Sequence, residues 1–353
     1  MSFDLTAKYG GLTLKSPVIV GACPLTAEEL IRISLVNSGV GAIVLPSLFE
    51  EQLIQWKDCE QTNWPTAKLD FKFDQWKGNL HHNTVCHDPE SYLRLVEQAT
   101  ARMSIPVIAS LNGRCANNWS DFAVKLQSAG ADAIELYVRS PPPSDYSDPC
   151  EVENMIVETA SLFAEKTTIP LFLKLGRHYT SFSHLSRRLQ STVHGLVLFG
   201  RSPVIDIELD SLQLTNSWGL TKPGSIVNSL EAIMRVRSYC PEMPLAANGG
   251  IASSSDLIKA LLAGADVGMV TSAVYRNGPT VIGNQIEGLI RFMEQNQMQS
   301  LEDLAERRRS ILDQCNDHLD YSIARSSYQE SFQPHETSQI SQCDRWGHPQ
   351  PPR

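Results

Sequence analysis

Leu245-Ala246-Ala247-Asn248-Gly249-Gly250-Ile251 and Val267-Gly268-Met269-Val270-Thr271-Ser272-Ala273 are two short apolar runs that each break into small residues. A segment with helical spacing, 254–264, joins them. Glycine at a strand end lets backbone N–H groups approach a ligand closely, and a nearby helix N-terminus favours negative charge. Two such ends side by side make a phosphate cradle, which in a (β/α)8 barrel forms at the loops after strands 7 and 8.

Counting backwards from this pair supplies the other six strands. Apolar runs at 17–23, 41–47, 106–112, 132–139, 170–176, 195–201, 244–250 and 266–273 alternate with helical patterns at 27–38, 89–103, 120–129, 151–166, 182–191, 229–239 and 254–263. A last helical pattern, 279–295, comes after the eighth run. Asn37-Ser38-Gly39, Ser128-Ala129-Gly130-Ala131 and Ala263-Gly264-Ala265 read as helix stops leading straight into strands. Ile105-Pro106, Ile169-Pro170 and Met243-Pro244 open strands where no ladder donor is lost. The strands are near-continuous Val, Ile, Leu and Ala, as expected of a parallel sheet covered by helices. The pattern predicts one α/β domain, a (β/α)8 TIM barrel over residues 1–315, with an open doubly wound sheet as the structural alternative.

Three segments fall outside the repeat. Residues 54–88, after strand 2, carry Trp56, Trp64 and Trp76, and a loop this long is expected to cover a site as a lid. Residues 202–228, after strand 6, contain the alternation Ile205-Asp206-Ile207-Glu208-Leu209, which suggests a small β excursion. Residues 316–353 are rich in Ser, Gln, His and Pro and are expected to be a disordered tail. Before the barrel, 7–16 with Gly10-Gly11 reads as a hairpin closing its floor.

The chain of 353 residues carries a net charge of −9 and no Lys/Arg-rich block, which argues against nucleic acid or an anionic membrane as partner. No signal peptide is visible at the N-terminus, and no apolar run approaches the ~18 residues of a membrane span. Eight scattered cysteines without a CxxC pair point to a reducing cytoplasm. His81, His82, Cys86, His87 and Cys59 share one polar loop without the spacing of a zinc site, so no metal is expected.

The segment from Leu5 to Ala22, Leu45-Pro46-Ser47-Leu48-Phe49-Glu50-Glu51, Pro106-Val107-Ile108-Ala109-Ser110-Leu111-Asn112-Gly113, Leu173-Lys174-Leu175 and Asn248-Gly249-Gly250-Ile251 together resemble the dihydroorotate dehydrogenase family, in particular its dihydroorotate dehydrogenase-like branch. The resemblance spans roughly residues 3 to 310 in unbroken order. It implies FMN at the C-terminal mouth of the barrel, with Gly21, Ala22, Ser47, Asn112 and Lys174 around the flavin. Gly249, Gly250, Thr271 and Ser272 would hold its phosphate. An ammonium at Lys174 would stabilise negative charge on the reduced ring. In the family, strand 4 runs into Asn-x-Ser-[Cys/Ser]-Pro-Asn, whose asparagines hold the pyrimidine and whose Cys or Ser takes the proton. Here the segment is Tyr137-Val138-Arg139-Ser140-Pro141-Pro142, which keeps Ser140 as the candidate base but neither asparagine. The lysine expected in strand 2 falls at Pro46, and the asparagine of strand 6 is missing from Leu198-Phe199-Gly200-Arg201.

The expected activity is therefore a flavin-dependent oxidoreduction, with hydride passing between a small carbon substrate and flavin N5. Oxidation of dihydroorotate to orotate in pyrimidine biosynthesis is the first case to test. Two competitors are a phosphate-binding aldolase or isomerase using Lys174 as a Schiff-base nucleophile, and an FMN-binding protein without turnover. Homodimerisation is an expectation from the resemblance alone. Arg139 could meet an anionic substrate or form an outward salt bridge, and the second is the preferred reading.

Overall fold

The computed structural model describes residues 3–53, 88–113, 120–139, 148–201 and 203–313. The expected lid, the His/Cys cluster within it, the candidate base Ser140 and the tail from 316 onward lie outside these residues. The chain divides into residues 1–308 and 309–353. Of the second unit, the described part is 309–313, where a helix from Leu301 ends at Asp313.

A short antiparallel hairpin of β1 (Ala7–Tyr9) and β2 (Leu12–Leu14) precedes the barrel. The barrel strands are β3 (Val18–Val20), β4 (Ala42–Phe49), β5 (Val107–Gly113), β6 (Ala133–Val138), β7 (Leu171–Leu175), β8 (Gly195–Leu198), β11 (Leu245–Asn248) and β12 (Val267–Val270). All eight are parallel and close into a ring in chain order, which excludes the open-sheet alternative. The connecting helices are α1 (Glu29–Asn37), α2 (Pro89–Arg102), α3 (Ser120–Ser128), α4 (Pro149–Lys166), α5 (Phe182–Leu189), α6 (Val227–Tyr239) and α7 (Ser254–Ala263), and then α8 (Ser272–Asn277), α9 (Thr280–Gln295) and α10 (Leu301–Asp313). Between β8 and α6 the predicted excursion is a two-stranded antiparallel ribbon, β9 (Val204–Glu208) and β10 (Gln213–Ser217). Among the described residues no helix is long and apolar enough to cross a membrane.

The two faces of each strand bury into two separate cores. Outward residues such as Val18, Ile43, Val107, Ile134, Leu173 and Leu245 join the shell beneath the helices. Inward residues, among them Ile19, Val44, Ile108, Ala133, Phe172, Val197, Ala246 and Met269, fill the lower lumen. The hairpin plugs the floor as expected: Tyr9 is fully buried and stacks on Phe172 with centroids 4.2 Å apart. Gly10 makes that turn possible, with φ +53° and its Cα so close to His194 that a Cβ would sit 2.3 Å from the carbonyl oxygen.

Proline-initiated strands show how donors are redistributed. Asp132 accepts the Val107 N–H at 2.8 Å and Asp266 accepts the Leu245 N–H at 2.8 Å, so the residue after each opening proline is tied to the next strand by a side chain. Helix starts agree with the sequence signals: Asp88 and Ser91 form a capping box on α2, and Ser253 and Asp256 form one on α7. The eighth apolar run ends earlier than its composition suggests. Its strand stops at Val270, and Thr271 turns the chain into α8, whose first residues the apolar pattern assigns to the strand. Helix α10 likewise has no counterpart in the sequence reading, because its mostly polar surface leaves a weak apolar stripe in which only Leu304 is buried.

One irregularity sets the shape of the mouth. Between Val44 and Ser47 the register of β4 against β5 shifts by one residue, at Leu45-Pro46. Proline has no N–H for the ladder, and a bulge is where a strand tolerates it. The extra residue reverses the facing of the rest of the strand: Val44 is inward and Leu45 outward, but Leu48 is outward again, so Ser47 faces the lumen. There its hydroxyl meets that of Ser110 at 2.8 Å. Beside the bulge, the buried Tyr92 hydroxyl of α2 accepts from Ser110 N at 2.8 Å and donates to Ser110 O at 3.1 Å. A helix side chain thus replaces the missing ladder partner. Replacing Tyr92 with Phe leaves a buried amide and carbonyl without this partner and should lower unfolding free energy by about 1–3 kcal/mol. Urea denaturation of Tyr92→Phe measures this directly, and an unchanged midpoint would remove the hydroxyl from the account.

Candidate active site

Above the apolar plug the lumen turns polar. Ser47, Ser110, Glu135 and Lys174 project inward from four consecutive strands, β4 to β7, and are linked to one another. Ser110 Oγ lies between Ser47 Oγ and Glu135 Oε1, the latter at 3.4 Å, and the Lys174 ammonium is ion-paired to the same Glu135 oxygen. Glu135 is only 1% exposed, and its second oxygen is buried without a hydrogen bond. The strand register pairs Lys174 with Tyr137 and sets Glu135 one inward position deeper, beside Phe172.

Glu135 escaped the sequence reading although its signal matches that of Lys174. Both are single charges inside apolar strand runs, Ala133-Ile134-Glu135-Leu136 and Leu171-Phe172-Leu173-Lys174. A charge on a strand buried on both faces either pairs across the lumen or meets a ligand.

At the rim stand Asn112, Tyr137 and Asn248. Asn112 ends β5 with its Oδ1 buried and unpartnered, an acceptor waiting for a donor. Asn248 Nδ2 donates to the Phe199 carbonyl at 2.6 Å. The Tyr137 ring packs on the Gly200 backbone, where an added Cβ would fall 2.8 Å from the ring. Gly21, at the end of β3, is held between Thr271 and Asn248: a Cβ there would lie 2.7 Å from Thr271 Oγ1 and 3.6 Å from Asn248 Oδ1. Ala22 packs against the lumen cluster. Gly21, Ala22, Asn248 and Thr271, from the first and the last two strands, thus meet at one side of the mouth.

The two glycines that follow β11 have different jobs. Both hold positive φ, +94° at Gly249 and +85° at Gly250. A Cβ on Gly250 would strike the chain returning from the ribbon, 2.4 Å from Ile226 N, whereas one on Gly249 would meet nothing nearer than 4.0 Å. Gly250 is therefore a packing glycine, and Gly249 exposes backbone to open space where an anion can approach. Ser272 is already engaged: its Oγ accepts from both Thr221 N (3.0 Å) and Thr221 Oγ1 (2.9 Å), pinning the return segment over the end of β12. Just ahead of α7, Asp256 accepts from Ala252 N and Ser253 N, and Ser253 Oγ accepts from Asp256 N. Gly249 follows β11 and Thr271 follows β12, so these two strand ends stand side by side. Thr221 lies within an irregular insertion, and nothing in its sequence context marks it.

Arg139 forms an ion pair with Glu51 beyond the ends of β6 and β4, the salt bridge of the reading preferred from sequence. Arg177 lies over the Phe199 ring at 4.8 Å and donates to Asn228 O and Ser229 Oγ, tying the end of β7 to the start of α6. Half-buried Arg201, just past β8, has no ion pair among the described residues. Cys23, near the mouth, is not a base or nucleophile at neutral pH, because burial pushes its thiol up to about 11.

Comparison with known proteins places the chain in a family. A family model described as dihydroorotate dehydrogenase matches residues 82–293. Among curated proteins, the dihydroorotate dehydrogenase B (NAD(+)) catalytic subunit of Thermoplasma acidophilum is 23% identical over 310 residues, covering 85% of this chain and 97% of the relative. The proteins of the same name from Methanosarcina acetivorans and Pyrococcus furiosus are 28% identical over 284 residues and 24% over 308. These alignments cover 75% and 83% of this chain, and 84% and 95% of the respective relatives. The chain belongs to the dihydroorotate dehydrogenase family.

The thiol reading is checked by native-state alkylation and peptide mapping at pH 8. Exposed Cys150 should be modified well before buried Cys23. Equal modification of both would mean that the β3 end opens to solvent.

Proposed function

We propose that this member of the dihydroorotate dehydrogenase family binds FMN across the barrel mouth and oxidises or reduces a small carbon substrate. The observation that carries the reading is the polar layer above a dry, plugged lumen: Lys174 held by buried Glu135, with the orphaned Asn112 acceptor at the rim. Its residues fit the cofactor. Lys174 and Asn112 suit the polar edge of an isoalloxazine, with Ser47 beneath, and Gly249 with Thr271 suit a phosphate. Bound FMN would supply the hydride acceptor; the chain supplies orientation, exclusion of water and proton handling. Lys174 places positive charge where the reduced ring gathers negative charge. Ser140 is the group assigned to take the substrate proton, by its place in the sequence.

The substrate pocket is not the family's pyrimidine pocket. Tyr137 presents an aromatic ring packed on Gly200 where an amide is expected, and a buried amide lost from a pyrimidine edge costs about 1–3 kcal/mol for each unpaired group. Arg201 offers a counter-charge to a carboxylate. A small unsaturated or saturable acid is thus the favoured substrate class, with dihydroorotate as its first test. The Schiff-base alternative is disfavoured because an ammonium paired to a buried carboxylate is a poor nucleophile.

A homodimer is part of the proposal, with the β9–β10 ribbon as its contact. Ile205, Ile207 and Leu214 share one face of the ribbon, Leu209 and Leu212 flank its turn, and all five are 58–80% exposed. The opposite face carries Asp206, Glu208, Gln213 and Thr215. Trp218 and Leu220, just beyond the ribbon, are also exposed. An uncharged, apolar face is self-complementary, so a second copy is the partner it fits.

Purified protein should be yellow with one FMN per chain, identified by mass after release. A colourless protein that takes up no FMN would overturn the reading. Lys174→Ala should weaken binding of reduced FMN more than of oxidised FMN, and Ser140→Ala should slow anaerobic flavin reduction by substrate without emptying the site. Light scattering should give a dimer that Ile207→Glu with Leu214→Glu converts to a folded monomer. A wild-type monomer would remove the interface.

A further inference from the structure

We infer that Glu135 is a positioning residue: it draws the Lys174 ammonium down into the lumen and thereby limits how strongly the site favours reduced over oxidised flavin. The inference rests on the FMN reading above.

Three observations carry it. Glu135 lies on β6, fully enclosed, among strands whose other deep inward residues are apolar. A carboxylate at such a place costs more in lost hydration than a single ion pair returns, and apolar residues of similar volume commonly replace such pairs without loss of stability. Stability alone therefore does not explain its presence. Second, the carboxylate is only half used: Oε1 takes Lys174 and a long contact from Ser110, while Oε2 is buried with no partner. Third, the register sets Lys174 opposite Tyr137 and Glu135 opposite Phe172, and the Lys174 ammonium is bound to that carboxylate. Among the described residues no second ion pair holds the lysine, so Glu135 determines where that charge sits.

The consequence has a definite sign. A lysine paired to a carboxylate presents the mouth with a dipole and not a bare cation. Its attraction for negative charge on the reduced ring is correspondingly smaller. Removing the carboxylate frees the ammonium to move toward that ring, which favours the reduced cofactor.

The test is an anaerobic fluorescence titration of apoprotein with oxidised and chemically reduced FMN, in wild type, Glu135→Gln, Lys174→Met and the double variant. Glu135→Met, which matches the volume without polarity, serves as the second variant should Glu135→Gln fold poorly. Glu135→Gln should raise the preference for reduced FMN about tenfold, equivalent to about 30 mV upward for a two-electron couple. In the Lys174→Met background the same change should shift the preference less than about threefold. An unchanged preference in Glu135→Gln, with wild type binding FMN normally, would make Glu135 merely structural and overturn the inference. An effect of equal size with and without Lys174 would mean that Glu135 acts directly, which also overturns it. Failure of wild type to bind either form would overturn the FMN reading itself, and with it this one.

Discussion

A closed barrel of eight strands sends alternate side chains of every strand into one narrow lumen, and whatever charge is placed there must be solvated by the barrel itself. The lower half of this lumen obeys that constraint by being apolar, from the Tyr9–Phe172 stack up through Val44, Ile108 and Met269. The upper half holds a buried ion pair and two serine hydroxyls on four adjacent strands. The boundary between the halves is the floor of the site. Lys174 and Glu135 are ion-paired to each other there, and the half-satisfied carboxylate marks this as a place shaped for chemistry more than for stability.

The backbone makes room for that belt by local exceptions. Pro46 breaks the β4–β5 ladder, the bulge turns Ser47 inward, and Tyr92 reaches from α2 to take over the hydrogen bonds at Ser110. At the opposite side the chain returning from the ribbon is bolted over β11 and β12 by Thr221 on Ser272 and by Gly224 N on Gly250 O. These contacts brace the ends of β11 and β12. The same insertion carries the exposed apolar ribbon.

Most of the architecture was legible in the sequence because the barrel repeats one pattern eight times, punctuated by Gly at helix ends and Pro at strand starts. Doubly buried strands leave long apolar runs, and a charge inside such a run stands out, as Lys174 did. Glu135 sent the same signal, but its partner lies on the neighbouring strand, 39 positions away, and pairing across a lumen has no local signature. The bulge at Pro46 was visible only as a missing lysine; that it reverses the facing of Ser47 depends on register, which one strand alone cannot specify. The engagement of Ser272 by Thr221 was illegible for the same reason: it joins an irregular insertion to a strand end 51 residues away. The end of β12 was misjudged because Thr271 and Ser272 suit a strand and a helix start equally well.

The central claim is that the mouth is built for a flavin carrying a phosphate. Titrating apoprotein with FMN and with riboflavin, read by quenching of flavin fluorescence, tests it most directly. The account predicts stoichiometric binding of FMN and an affinity for riboflavin weaker by about a hundredfold, since loss of the charged contacts at the cradle is worth roughly 2–3 kcal/mol. Equal affinities would contradict the cradle at Gly249 and Thr271, and no binding of either flavin would contradict the account as a whole.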